Sequence, residues 1–165
     1  MSARSPYCGI ESDMACEIVS SDGGVFVLWG KPTKEDLDRV LERVQQTAAA
    51  AGHQIVFVAR VPERAPAPDD EVRAYLKPIM ARFFEACSSY HAVLEGGGFV
   101  SAAKRAILIG LTQLGSRGSN FFVHDHVDGV LAKIDPSSRP QAQSLLSLAA
   151  SRGLLTAPPP EERSR

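Results

Sequence analysis

Gln54-Ile55-Val56-Phe57-Val58-Ala59-Arg60-Val61 is the stretch that decides the fold. Its centre, Ile55 to Val58, is β-branched and aromatic with no polar alternation, so the strand it predicts must be covered on both faces. Such a strand sits in the middle of a sheet that carries helices, which makes the chain α/β.

Upstream, Ala15 to Ser20 reads as a strand, Ser21-Asp22-Gly23-Gly24 as a hairpin turn and Val25 to Gly30 as a second strand. A loop this short forces antiparallel pairing. After Pro32, Thr33 and Asp36 form a variant of the capping box, and Leu37, Val40, Leu41 and Val44 recur at helical spacing until Gly52 stops the helix.

Downstream, Pro62 to Pro68 holds too much proline for helix or central strand and predicts an exposed loop. Asp69 or Asp70 caps a helix running to about Ser88, with Pro78 either kinking it or starting a second segment. A short strand, Tyr90 to Leu94, follows, then the turn Glu95-Gly96-Gly97-Gly98 and a helix from Phe99 to Leu114. Gly115 to Ser119 leads back to a fifth strand, Asn120 to Val123. A helix from Asp125 to about Ile134 and a last one from Gln141 to Arg152 close the chain. The fold expected is a mixed, mainly parallel five-stranded sheet with helices packed on it, in the order ββαβαβαβα plus a C-terminal helix. Residues 1–14 are expected to be a flexible segment, 15–153 a single domain and 154–165 a disordered tail.

Composition agrees with one globular domain. The 165 residues are 44% hydrophobic and 22% charged, enough for one core without a metal or disulfide staple. A net charge of −1, with lysines and arginines scattered, implies no nucleic-acid partner. No apolar run follows Arg4, and the longest later one, Ala106 to Leu111, is too short to span a membrane. Cys8, Cys16 and Cys87 lack the spacing of zinc or redox motifs, which suits a reducing cytoplasm.

The element order over Ala15 to Ile134, the Glu95-Gly96-Gly97-Gly98-Phe99 turn into an Ala-rich helix, and Phe122-Val123-His124 before the next helix resemble the STAS domain superfamily, in particular its SpoIIAA-like (anti-sigma factor antagonist-like) branch. That resemblance implies a non-catalytic protein-interaction module in bacterial regulation. It also implies a switch serine or threonine where the third strand meets the second long helix. Here Val61 to Val72 contains neither, and Asp69 and Asp70 occupy the cap. The family's switch region corresponds to the proline loop and the helix start, so Glu63, Arg64, Asp69, Asp70 and Glu71 are the expected partner-binding residues.

The alternative is a small-ligand or metal-binding protein, possibly enzymatic, with Glu95, Gly97, His124 and His126 at the strand ends, where α/β sheets place ligands. His124, His126 and Glu95 are zinc-type donors. Against this, Asp125 reads as an N-cap with Asp128 three residues on, and Gly96 to Gly98 as a turn that needs positive φ. A catalytic set of Cys87, His91 and Asp125 has nothing to orient it. Ala102, Ala106 and Gly110 recur every fourth residue on the third helix and permit close approach to the sheet or to a second copy, so a homodimer is a further expectation. No cofactor and no catalytic residue is assigned.

Overall fold

A computed structural model describes residues 16–113 and 120–155. Five strands, Glu17–Ser21 (β1), Gly24–Leu28 (β2), Ile55–Val61 (β3), Cys87–Leu94 (β4) and Phe121–His124 (β5), lie in one sheet in chain order. β1 and β2 form the antiparallel hairpin, and every later pairing is parallel.

The helices Lys34–Ala51 (α1), Asp70–Ala86 (α2) and Gly98–Gln113 (α3) connect successive parallel strands. Right-handed crossovers that always step the same way along a sheet place their helices on one face. Leu37, Val40, Val44, Ile79 and Phe83 accordingly pack on Val25, Val27, Ile55, Phe57 and Tyr90. The opposite face is left to the C-terminal helices Asp128–Ala132 (α4) and Arg139–Ser151 (α5). There Val130, Ile134, Leu145 and Ala149 cover Val19, Phe26, Val56, Val58 and Val93.

The caps follow the sequence. Thr33 Oγ1 accepts from the Asp36 N–H at 3.1 Å, and Gly52, at φ 72°, ends α1 with its N–H on the Ala48 carbonyl. Asp69 caps α2, accepting from the Val72 N–H at 2.8 Å.

Four expectations are corrected. Pro78 lies within one continuous α2, on its exposed side, and so does not start a second segment. β4 starts at Cys87 rather than Tyr90, because α2 passes into extended backbone with no intervening loop. α4 begins at Asp128, not Asp125, and has no side-chain cap, since the Asp125 carboxylate is paired with Arg105 instead. The tail does not begin at 154: Leu154 is 3% exposed, and its carbonyl accepts from Arg60 at 2.6 Å. Residues 1–14, Cys8 and the return at 115–119 lie outside the described residues, as does the tail beyond 155. No described helix is long and apolar enough to cross a membrane.

Candidate functional site

The carboxyl ends of the parallel strands carry two constructions, and a third lies on the face of the sheet. The first is an apolar cleft of about 90 Å³ between the proline loop, α2 and α3, lined by Pro66, Pro68, Val72, Leu76, Tyr90 and Leu108 among others. Lys104 is the one charged side chain in its lining. It is only 4% exposed, and its ammonium donates to the carbonyls of Glu63 at 2.9 Å and Pro62 at 3.3 Å. Burial pushes its pKa below the usual lysine range, with the Glu63 carboxylate acting in the opposite direction. Among the described residues no carboxylate forms an ion pair with it.

Of the expected partner-binding residues, Glu63 and Arg64 are exposed on the loop, and Asp69, Asp70 and Glu71 are exposed at the start of α2. Asp70 pairs with Arg73, and Glu71 with Lys34 on α1. The loop itself is anchored by Lys104 and by Ala65, which is buried.

The second construction is a hollow of about 680 Å³ at the start of α3. Gly97 and His126, two of the four expected ligand residues, both line it, with Ser101, Arg105 and Asp125. The glycine turn has the geometry expected of it: Gly96 and Gly98 have φ of 92° and 84°. A Cβ on Gly96 would also stand 2.4 Å from the Glu63 Cγ.

The other two expected ligand residues have different partners. Glu95 binds Arg60, with Nε to Oε1 at 2.6 Å and Nη2 to Oε2 at 3.0 Å. His124 belongs to the third construction, a hydrogen-bonded series on the sheet face under α4. Ser89 Oγ lies 2.9 Å from His91 Nε2, and His91 Nδ1 lies 3.0 Å from His124 Nε2. His91 is fully buried and stacks on Phe122, at 5.2 Å between centroids and 15° between planes. Both of its ring nitrogens are satisfied, as a buried imidazole requires. Burial first, and then His124, lower its pKa to about 4, so it is neutral at pH 7. His124 is lowered too, by burial and by Lys133, with Asp125 opposing.

Chemically, the series can pass a proton from serine to imidazole to imidazole in either tautomeric sense. Sequence reading missed Ser89 because it was placed in the turn before a shorter strand. Strand alternation sets Ser89 and His91 on the same face, and the bulge before Ser89, where Ile55 pairs with Cys87 and Val56 with Ser89, turns Cys87 away from them. Cys87 packs on the other face, where burial pushes its thiol up to about 12, so Cys87 and His91 do not form a set. Among the described residues no group of three or more His, Cys, Asp or Glu side chains could hold a metal ion, so the zinc set of Glu95, His124 and His126 is not assembled.

Ser101 and Lys104 are buried, whereas Ala102, Ala106, Gly110 and Ile109 face outward, Ile109 at 45% exposure. The small-residue stripe therefore does not serve close approach to the sheet.

The fold and site define an α/β sandwich with a strand-end cleft. Compared with known proteins, the chain matches no family model, no curated protein and no solved structure.

Proposed function

We propose that the chain is a non-catalytic, STAS-like protein-interaction module of bacterial regulation whose recognition element is the apolar cleft behind the proline loop. The observation that carries this reading is the size of the cleft together with its wall. At about 90 Å³ it falls well below the roughly 300–1,000 Å³ of a pocket that encloses a drug-sized molecule. It suits one aliphatic side chain, the kind of central apolar anchor that interfaces use. Pro66, Pro68 and Val72 form one wall, so an inserted anchor would lie against the segment whose outer side presents Glu63, Arg64, Asp69, Asp70 and Glu71. Those charges supply a polar rim around an apolar centre. Asp69 and Asp70 carry fixed negative charge where the resemblance places a phosphorylation switch.

Peptide selection from a random library against the immobilised protein tests the reading. The expected result is enrichment of peptides with a leucine or similar anchor, and loss of their binding in Leu76→Trp, which fills the cleft. Binding unchanged by Leu76→Trp would remove the cleft from the recognition surface.

A second reading, a short apolar acid in the same cleft, is favoured by Lys104, a buried ammonium held by carbonyls alone among the described residues. A carboxylate there would supply the missing counter-charge. Titration with hexanoate separates the two readings: saturable binding that is lost in Lys104→Met supports the acid, and no binding leaves the peptide anchor.

A further inference from the structure

The hollow at the start of α3 differs from the cleft in charge, lining and position. The first turn of an α-helix leaves backbone N–H groups with no partner inside the helix, and the aligned peptide dipoles favour negative charge there. That alone would not make a site. Ser101 adds an independent observation: it is 5% exposed, lines the hollow and has no hydrogen-bond partner among the described residues. Its hydroxyl opens onto the hollow rather than into the core, so it can donate to an anion placed there.

Gly97 points the same way. Gly96 and Gly98 need glycine for their positive φ, but Gly97 does not have one, and a Cβ built on it meets nothing within 4 Å. Neither backbone conformation nor packing accounts for a glycine there. Close approach of a ligand to the main chain would. Arg105 and His126 add cationic and donor capacity on the remaining sides.

We propose that this hollow binds a phosphomonoester with an apolar substituent. The phosphate would take the N–H groups of the Gly97-Gly98 turn, the Ser101 hydroxyl and the Arg105 guanidinium. The substituent would lie along the outward stripe of Ala102, Ala106 and Ile109, which continues the same lining. Asp125 is the opposing element. Its carboxylate pairs with Arg105, and a dianionic phosphate would draw the guanidinium away from it. This assignment is independent of the cleft.

The test is a titration of amide chemical shifts with inorganic phosphate and with hexyl phosphate at constant ionic strength. Saturable shifts at 97–105 and 125–126 are expected, with hexyl phosphate binding at least tenfold tighter than inorganic phosphate. Arg105→Gln should weaken binding by tenfold or more, and Ser101→Ala and Gly97→Ala by several-fold. Asp125→Asn should tighten it, because it removes the competing carboxylate. A merely structural Asp125 would not give that sign. Equal affinity for both ligands would withdraw the apolar substituent, while no shift in the turn, or identical affinities in wild type and variants, would overturn the site. Gly97→Ala and Asp125→Asn introduce no clash and no buried charge, so they carry the test even if Arg105→Gln fails to fold.

Discussion

Arg60 and Glu95 meet across the carboxyl ends of β3 and β4 in a two-pronged ion pair, and the same guanidinium donates to the carbonyl of Leu154. One mostly buried side chain thus joins the sheet to the segment after α5. Removing only the carboxylate leaves a buried cation with a single acceptor. Glu95→Ala is expected to cost about 3 kcal/mol, the range for breaking a buried pair by deleting one partner. For a domain of this size that lowers the melting temperature by roughly 6–12 °C, read by circular dichroism. The double variant Arg60→Leu with Glu95→Leu should recover most of the loss, because no charge is then stranded.

The His91 imidazole gives stability an acid-side slope. Its pKa is lowered to about 4 in the folded chain against 6.5 for an ordinary histidine, so between those values the unfolded state binds the extra proton. Its contribution is complete above about pH 6.5 and is lost as pH falls towards 4. From pH 7 to pH 5 the loss is about 2 kcal/mol from this group, at 1.36 kcal/mol per pH unit below 6.5. Urea unfolding at the two pH values measures it. His91→Phe, which keeps a ring against Phe122, should flatten the slope; an unchanged slope would assign it to other groups.

Lys104 ties α3 to the proline loop through two carbonyls. Lys104→Met keeps most of the aliphatic stem and loses both bonds, so the loop should open more often while the core stays intact. Tryptic cleavage after the exposed Arg64 should accelerate several-fold. A cleavage rate equal to wild type would mean that Ala65 and the prolines hold the loop unaided.

The glycine turn should respond position by position. Gly96→Ala is expected to destabilise by about 2 kcal/mol or more, from a left-handed backbone and from contact with the Glu63 side chain. Gly97→Ala should leave stability within about 1 kcal/mol of wild type or slightly above it. Thermal unfolding of both variants checks the contrast, and equal losses would contradict the assigned backbone.

Much of the sheet was legible because its signals are local. Ile55 to Val58, the Asp22-Gly23 turn, the Thr33 cap and the Gly52 stop each act within a few residues, and each is found where the sequence placed it. The candidate sites were legible only in part. Gly97 and His126 were named and do line one hollow, but the Glu95 carboxylate went to Arg60, 35 residues away in the chain, and no local pattern announces such a pair. Ser89 and Lys104 were missed for a related reason. The direct passage of α2 into β4 put one in the strand, and acceptors on a distant loop made burial of the other tolerable. Asp125 shows the converse: a good capping residue was diverted by an arginine that arrives from α3.

Because the strands stand in the sheet in the order of the chain, the molecule can be built by addition at one growing edge. Each new strand finds its neighbour already made, and no earlier pair has to part to admit it. Short-range growth of this kind favours rapid folding and suits a chain emerging from its amino end. The exception is the bond from Arg60 to Leu154, which spans 94 residues and completes the second face. Until α5 docks, Phe26, Val56 and Val58 stay open to water, so the docking of α5 ends the period of greatest aggregation risk. Pulsed hydrogen exchange during refolding should accordingly protect β2 and β3 before α5; simultaneous protection would mean that the two faces close together.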